Sequence, residues 1–209
     1  MPATIGMVQN ATTPGKEWEG RSRMAELDLW KDPWPLDEKQ CPCDVHFTRY
    51  LAQSGRKGQR IFHFGTGSHH HVGLNAPSGD HAVLGITASE AEYSAYIAAI
   101  VGNPHLGRYY KVQFQDIYQT NFALLPEFDI VNLFHVGEFR WEKNIPYSSI
   151  DDHGLVDGMA QKLVSGGLML LYTGSFAYDV AERIIPKVAS ERGLIEEPRF
   201  ETLRVFRKL

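Results

Sequence analysis

Two glycines that follow a short apolar run mark the first place in this sequence where a ligand could bind. The run Ile61-Phe62-His63-Phe64 predicts a strand, and Gly65-Thr66-Gly67-Ser68-His69 follows it directly. Glycines after a strand let the backbone approach a ligand closely, and the N–H groups of a helix start attract anions. The alternative is a plain tight turn, because a bare G-x-G is a weak signal by itself.

His135 and Glu138 are the second candidate for chemistry. They follow the apolar run 128–134, which predicts a buried strand. If that strand lies beside the first one in a parallel sheet, both side chains face the glycine turn. An imidazole there could take a proton from a substrate hydroxyl or amine, with Glu138 orienting it or acting alone. The alternative is a histidine that bonds a nearby backbone carbonyl.

Three consecutive histidines, His69, His70 and His71, follow the glycine turn. Neighbours at a helix start point about 100° apart, so at most two of the rings can face one ligand. We expect a polar helix start that faces solvent. The alternatives are a role for His69 above the ligand, where it tunes the ligand's position or protonation, and metal ligation by one or two of the rings.

The spacing Cys41-x-Cys43-x-x-His46 combines residue types that can hold zinc. A structural zinc site needs four ligands, and the sequence has no second pair of cysteines. A disulfide between such close neighbours closes a tiny, strained loop. We therefore expect two reduced thiols beside a helix start, and no metal.

The elements that must position these residues alternate between strand and helix. The apolar patterns predict helices over 44–54, 87–100, 153–164 and 178–191, and strands over 61–64, 82–86, 109–114, 128–134 and 168–172, with one or two more in 197–208. Thr87, with Glu90 three residues later, predicts a capping box at the second helix. Alternation of this kind predicts a parallel sheet with helices on both faces and a ligand where the strand order reverses.

Length and charge narrow the class of protein. A chain of 209 residues suits one domain with a modest extension, and a net charge of -4 without blocks of like charge argues against a nucleic-acid partner. No apolar run approaches the roughly 20 residues that span a bilayer, and the first 20 residues lack the pattern of a signal peptide. We expect a cytoplasmic protein that does not enter membranes.

The region from about 60 to 175 resembles the core of the class I S-adenosylmethionine (SAM) methyltransferases. Gly65 and Gly67 match the first two glycines of the family's G-x-G-x-G loop, whereas His69 replaces the third. His63 stands where the family has an acidic residue, and Thr87 stands where an acidic residue ends the second strand. Three further stretches match the family's third strand end, fourth strand and turn before the fifth strand: Gln115-Asp116-Ile117, Phe128-Asp129-Ile130-Val131 and Ser165-Gly166-Gly167-Leu168.

The resemblance implies a Rossmann-like three-layer α/β sandwich, with a mostly parallel sheet and an antiparallel strand near the C-terminus. Residues 56–209 would form this domain, and residues 1–55 an extension with a lid helix. The implied function is SAM-dependent methyl transfer to a small molecule, with His135 and Glu138 as catalytic residues. The implied cofactor-binding residues are His63, Gly65, Thr66, Gly67, His69, Thr87, Asp116 and Ile117.

Aromatic residues in the loop after the fourth strand and in the N-terminal segment are expected around the mouth of the crevice, where they could shape a substrate pocket. They are Trp30, Trp34, Tyr50, Trp141 and Tyr147. Such side chains suit a flat or apolar small molecule. The alternative is that they pack the N-terminal segment onto the core.

Two other classes of function remain open at this point. The departures at His63, His69 and Thr87 also fit a non-catalytic relative, which would act as a partner subunit or bind a different ligand. A nicotinamide-dependent oxidoreductase is the third reading, although His70 stands at the third glycine of G-x-G-x-x-G. The sequence leaves the oligomeric state open, including a homodimer.

Overall fold

A computed structural model describes residues 32–76, 80–142 and 144–209. The elements in chain order are α1 (Cys43–Ser54), β1 (Arg60–Phe64), α2 (His71–Asn75), β2 (Ala82–Thr87), α3 (Glu90–Gly102), β3 (Tyr110–Phe114), β4 (Phe128–Asn132), α4 (Asp152–Lys162), β5 (Leu163–Tyr172), α5 (Tyr178–Arg192), β6 (Leu194–Phe200) and β7 (Leu203–Lys208). Short 3₁₀ turns lie at Pro104–Arg108, Ile117–Gln119 and Phe122–Leu124.

The strands form one seven-stranded sheet in the order β3-β2-β1-β4-β5-β7-β6. Strands β1 to β5 pair in parallel, whereas β7 runs antiparallel between β5 and β6. The predicted α/β class, the mostly parallel sheet and the antiparallel C-terminal end are therefore confirmed. The strand order reverses between β1 and β4, so their carboxyl ends flank the crevice where such sheets bind ligands.

Helices cover both faces of the sheet because its central strands are apolar on both sides. Phe62 of β1 packs with residues of α4 and α5, among them Met159 and Ile185. The preceding residue, Ile61, points to the other face and packs with residues of α1 and α3, among them Phe47 and Tyr96. Successive strand residues point to opposite faces, which produces the predicted three layers.

Two strand predictions need correction at the carboxyl end of the sheet. Strand β4 ends at Asn132 and not at residue 134, because the chain turns there and the backbone N–H of Glu138 donates to the carbonyl of His135 at 3.2 Å. Strand β5 begins at Leu163, five residues before its predicted start. The residues predicted to end α4 pair instead with β4, where Leu163 lies opposite Phe128 and the register then shifts.

The predicted cap of α3 is also wrong. The N-cap is Ser89, whose side chain accepts a hydrogen bond from the backbone N–H of Glu92, three residues later. Thr87 is the last residue of β2, and its hydroxyl accepts a hydrogen bond from the backbone N–H of Ser89 at 3.0 Å. This shift matters because it turns Glu92 toward the carboxyl end of β2.

A helix must be both long and apolar to span a membrane. Among the described residues, no helix meets both requirements.

Candidate functional site

A cavity of about 640 Å³ opens at the carboxyl ends of β1, β2 and β4. Its walls include eight of the ten predicted catalytic and cofactor-binding residues: Gly65, Gly67, His69, Thr87, Asp116, Ile117, His135 and Glu138. Two others, His63 and Thr66, are buried behind the wall. The volume lies within the range of small-molecule and cofactor sites.

The glycine turn forms one wall, and its conformation requires glycine at both positions. Gly65 has a φ of +80° and Gly67 a φ of +57°. A Cβ added at Gly67 would collide with the ring of His69 and lie 2.9 Å from the carbonyl oxygen of Trp34. At Gly65 the nearest atom to an added Cβ would be Cδ2 of His135, at 3.6 Å. The backbone at Gly65 is therefore open toward the cavity.

The N-terminal segment crosses the glycine turn at Trp34. The carbonyl oxygen of Trp34 accepts hydrogen bonds from the backbone N–H of Ser68 at 2.8 Å and from its hydroxyl at 3.1 Å. The backbone N–H of Trp34 donates to Oε1 of Glu92 at 3.1 Å. This segment thus joins the turn after β1 to the start of α3 and forms one side of the cavity mouth.

Beside Thr87 lies a carboxylate that the sequence analysis did not identify. The hydroxyl of Thr87 donates to Oε2 of Glu92 at 2.6 Å, and Glu92 lines the cavity although it is only 5% exposed. Burial raises the pKa of Glu92, against the lowering effect of its hydrogen bonds with Thr87 and Trp34. The first turn of α3 thus places a carboxylate beside the end of β2.

A second unanticipated carboxylate lies beside His63. Asp44, in the first turn of α1, is 4% exposed and lines the cavity. Its Oδ1 lies 3.5 Å from Nε2 of His63, and its Oδ2 lies 3.8 Å from Nδ1 of His69. Burial alone would raise the pKa of Asp44, but the neighbouring imidazoles, His63 foremost, outweigh burial and lower it.

The sequence contains a pattern that could have identified Glu92, but none that could have identified Asp44. The spacing Ser89-x-x-Glu92 is itself a capping-box pattern, so the sequence offered a competing start for α3 that would have brought Glu92 to attention. Nothing in the sequence links Asp44 to His63, because they meet only when α1 packs on the sheet.

The three consecutive histidines do not form a polar helix start that faces solvent, so that expectation is wrong. His70 is 3% exposed, and its Nε2 donates to the carbonyl oxygen of Glu92 at 2.8 Å while Nδ1 accepts from the hydroxyl of Tyr110 at 2.7 Å. His71 contacts the hydroxyl of Thr48 at 3.1 Å. His69 alone of the three lines the cavity.

Asp116 and Ile117 lie together at the end of β3, as the sequence suggested. Oδ1 of Asp116 accepts a hydrogen bond from the backbone N–H of Tyr118 at 2.9 Å. Its Oδ2 accepts from the side-chain amide of Asn144 at 3.3 Å, which ties the loop after β4 to this wall. Ile117 contributes an apolar surface to the same part of the cavity.

At another part of the wall, two thiols and an imidazole converge; we call this group the thiol cluster (Cys41, Cys43 and His135). Sγ of Cys41 lies 3.4 Å from Sγ of Cys43, and each sulfur lies 3.8 Å from Nε2 of His135. Nδ1 of His135 lies 3.1 Å from the carboxylate of Glu138. The partner of the imidazole is therefore a carboxylate, not the backbone carbonyl considered as the alternative.

The protonation of the thiol cluster follows from its contacts. The hydrogen bond from Cys43 lowers the pKa of Cys41 to about 5, with a further contribution from His135. Burial raises the pKa of Cys43. Burial would lower the pKa of His135, but the hydrogen bonds with Cys41 and Glu138 outweigh it and raise that pKa to about 10.

His46 does not join the cysteines as the spacing Cys41-x-Cys43-x-x-His46 suggested. Its Nε2 lies 2.6 Å from the carboxylate of Glu201, and its Nδ1 lies 2.8 Å from the hydroxyl of Thr202. The helical turn of α1 directs His46 away from the thiols, whereas His135 reaches them from the end of β4.

Of the aromatic residues predicted around the mouth, three line the cavity: Trp34, Trp141 and Tyr147. Tyr50 packs against Phe200 instead, with ring centroids 5.4 Å apart. Trp30 lies outside the described residues. Phe176, which the sequence analysis did not single out, also lines the mouth and is 82% exposed.

Comparisons with known proteins connect this cavity to a fold. Neither a protein-family model nor a curated protein matches the sequence. Among solved structures, the chain is similar to a TehB-like SAM-dependent methyltransferase from Corynebacterium glutamicum, with 15% identity, a TM-score of 0.55, and coverage of 78% of this chain and 88% of that one.

Two further solved structures are similar to this chain in fold. The N-methyltransferase NodS from Bradyrhizobium japonicum, in complex with S-adenosyl-L-homocysteine (SAH), matches with 16% identity and a TM-score of 0.52 over 79% of this chain and 86% of NodS. TrmN from Thermus thermophilus matches with 17% identity and a TM-score of 0.54 over 79% of this chain and 48% of TrmN, so the match spans about half of TrmN. The chain therefore has the class I SAM-dependent methyltransferase fold.

Proposed function

We propose that this protein is a SAM-dependent methyltransferase that acts on a small molecule. The observation that carries the proposal is the position of two carboxylates. Asp44 lies beside His63, and Glu92 lies beside Thr87, which are the two positions where the sequence lacks the acidic residues of the methyltransferase pattern. Both carboxylates line the cavity. The acidic groups are therefore replaced from other elements.

The glycine turn fits the cofactor as well. Gly65 presents open backbone to the cavity, with only the edge of His135 within 4 Å of an added Cβ. Gly67 allows the turn to pass between His69 and Trp34. Such a turn after the first strand lets a ligand approach the main chain more closely than any side chain would permit.

Each part of SAM has residues of suitable chemistry. Glu92 would accept hydrogen bonds from the ribose hydroxyls, a task for which the Thr87 hydroxyl alone offers fewer acceptor sites. Asp44 would attract the ammonium of the methionine portion. Asp116 and Ile117 would contact the adenine, one by hydrogen bonding and the other by apolar packing.

The thiol cluster end of the cavity would take the methyl acceptor. SAM supplies an electrophilic methyl group, and its transfer depends mainly on aligning donor and acceptor. Nδ1 of His135 lies 3.1 Å from the carboxylate of Glu138, and its Nε2 lies 3.8 Å from each cysteine sulfur. Both ring nitrogens therefore have partners within the protein, so we assign His135 and Glu138 to positioning the thiols at the acceptor end. Their role in proton removal, suggested by the sequence, stays a prediction.

A non-catalytic relative that binds a different ligand is the second candidate. It is favoured by the pairing of both replacement carboxylates inside the protein, Asp44 with His63 and Glu92 with Thr87 and Trp34. A ligand without an ammonium or a ribose would leave those contacts undisturbed. The nicotinamide alternative has no comparable support, because His70 at the third glycine position is buried against Tyr110.

Calorimetric titration with SAM and SAH distinguishes these candidates. We expect saturable binding of both by the wild-type protein and its loss in a Gly67→Ala variant, whose new Cβ would collide with His69 and Trp34. Gly58→Ala is the matched control, since Gly58 has a similar φ of +63° and an added Cβ there meets nothing within 4 Å.

Absence of SAH binding by a folded wild-type protein would favour the different-ligand candidate. Equal binding by the Gly67→Ala and Gly58→Ala variants would place the ligand elsewhere and contradict the assigned site.

A further inference from the structure

The thiol cluster has the composition and dimensions of a metal site. Two sulfur atoms and one imidazole nitrogen meet from distant parts of the chain, with Cys43 and His135 separated by 92 positions. These three ligand atoms all lie within 4.8 Å of one another. We propose that Cys41, Cys43 and His135 bind a zinc ion whose fourth coordination position faces the cavity.

The distances within the cluster agree with tetrahedral coordination. Zinc–sulfur bonds of about 2.3 Å and zinc–nitrogen bonds of about 2.0 Å place tetrahedral ligands roughly 3.8 Å apart for two sulfurs and roughly 3.5 Å apart for sulfur and nitrogen. The observed separations are 3.4 Å for the two sulfurs and 3.8 Å for each sulfur–nitrogen pair. Each differs from the ideal value by a few tenths of an ångström, so binding requires little movement.

Glu138 orients the imidazole for this role. Its carboxylate lies 3.1 Å from Nδ1 of His135, which leaves Nε2 directed at the two sulfurs. Glu138 is held in turn by the hydroxyl of Ser175 at 2.5 Å and the backbone N–H of Phe176 at 2.9 Å. A carboxylate that fixes the second nitrogen of a ligating histidine is a recurrent feature of zinc sites.

The backbone around the cysteines is held by local hydrogen bonding and by packing. The N–H of Cys41 donates to the carbonyl of Asp37 at 2.8 Å, and Cys43 begins α1 and is 2% exposed. Two thiols and one imidazole form a soft to borderline donor set, which suits zinc and does not suit magnesium or calcium.

The cavity gives the site its open side. Cys41, Cys43 and His135 all line it, and three protein ligands with an exchangeable fourth position are characteristic of catalytic zinc. The ligand class for that position is water or a small molecule with a sulfur or oxygen donor. Zinc binding itself does not depend on the proposed methyl transfer, although such a donor at this end of the cavity would be a suitable acceptor.

Metal content measured on the whole reduced protein tests the proposal directly. The protein is stripped with a chelator and titrated with Zn²⁺, and bound metal is counted by mass spectrometry. We expect one zinc per chain. Substitution by Co²⁺ should give the intense near-ultraviolet absorption of cobalt–thiolate bonds. Cys41→Ser and His135→Gln should weaken zinc binding by more than about 100-fold, and Glu138→Gln by about 10- to 100-fold.

His46→Gln is the matched control, because His46 is the histidine nearest the cysteines in sequence but bonds Glu201 and Thr202 instead. We expect it to keep full zinc affinity. Cys41→Ser is the decisive variant if Cys43→Ser fails to fold, since Cys41 is only partly buried.

Less than 0.1 zinc per chain in the reduced wild-type protein at excess Zn²⁺ would overturn the proposal. So would zinc binding that survives both Cys41→Ser and His135→Gln. SAH titration of the same variants separates this proposal from the proposed function. If Cys41→Ser and His135→Gln lose zinc but still bind SAH, the thiol cluster is supported as the metal site, whatever the result for methyl transfer.

Discussion

The two ends of the cavity are constructed in different ways. At the end that we propose holds the cofactor (the cofactor end), backbone conformation provides the surface, and carboxylates from the first turns of α1 and α3 lie beside His63 of β1 and Thr87 of β2. At the thiol end, side chains from before α1 and after β4 converge on one point. The first end is recognisable from a local motif, whereas the second exists only because distant segments meet.

This difference indicates which parts of the site tolerate change in sequence. A carboxylate can be supplied from any element that reaches the same place, so the acidic residue of a strand can be lost while its charge is retained. A convergent donor set lacks that freedom, because each ligand atom must lie within a few tenths of an ångström of a fixed position. The cofactor end and the thiol end should therefore respond separately to substitution.

Asp44→Asn should produce the largest effect, because Asp44 stands between the two ends. Its carboxylate lies 3.5 Å from His63 and 3.8 Å from His69, and the thiol of Cys43 donates to it at 3.6 Å. Removing the charge from a buried pair leaves the imidazoles without their partner. We expect the free energy of unfolding in urea to fall by roughly 3 kcal/mol.

Asp179→Asn serves as the control for Asp44→Asn. Asp179 pairs with Arg183 on the surface, where both side chains are more than half exposed. We expect it to change the free energy of unfolding by less than about 0.5 kcal/mol. Similar losses in both variants would mean that Asp44 contributes no more than a surface charge.

Glu92→Gln should come next, and it should affect only the cofactor end. The amide keeps the size of the carboxylate but loses the charge that would accept hydrogen bonds from a ribose diol. A charge-assisted hydrogen bond contributes about 1.5–3 kcal/mol, so SAH affinity measured by calorimetry should fall about 10- to 100-fold. Zinc content should stay unchanged.

Glu90→Gln is the matched control on the same helix, since Glu90 is exposed in the first turn of α3. It should keep the SAH affinity of the wild-type protein. A fall in both zinc content and SAH affinity in Glu92→Gln would contradict the separation of the two ends, because it would show that they are coupled.

The smallest effect should be a pH dependence of stability that originates at Glu92. Burial raises the pKa of Glu92 above its ordinary value of 4.5, so the folded state holds its proton to higher pH than the unfolded state. The resulting stabilisation is complete below that ordinary value and is lost as pH rises through the raised pKa. Relative to Glu92→Gln, the wild-type protein should therefore lose stability with rising pH.

Urea unfolding of both proteins at pH 4, 6 and 8 measures this difference, with the other titrating groups common to both. A difference that stays constant, or that grows in favour of the wild-type protein as pH rises, would contradict the burial of Glu92 as its cause.

Much of the fold could be predicted from the sequence because its signals are local. The apolar run at 61–64 and the glycines after it define β1 and its turn, and strand–helix alternation defines the parallel sheet. The strand ends were predicted less well. Residues 163–167 resembled the end of a helix, yet they continue the sheet because Leu163 pairs with Phe128 of β4.

Prediction of the site followed the same division. Gly65, Gly67, Asp116 and Ile117 lie on strand ends whose order the sequence implied, and they line the cavity. His46 was the only histidine near the cysteines in sequence, but the zinc-like donor set uses His135. Sequence proximity was misleading there because His46 bonds Glu201 and Thr202, whereas the packing of α1 on the sheet brings the cysteines to His135 after β4.

By itself, the sequence determined the periodic apolar pattern, the positions of the turns and therefore the sheet with its crevice, since these depend on interactions between near neighbours. Only the tertiary structure decided which charges and ligand atoms fill that crevice. Asp44 reaches His63, Glu92 reaches Thr87 and Cys41 reaches His135 through the packing of elements far apart in the chain. Such contacts depend on where helices settle against the sheet, which no local pattern specifies.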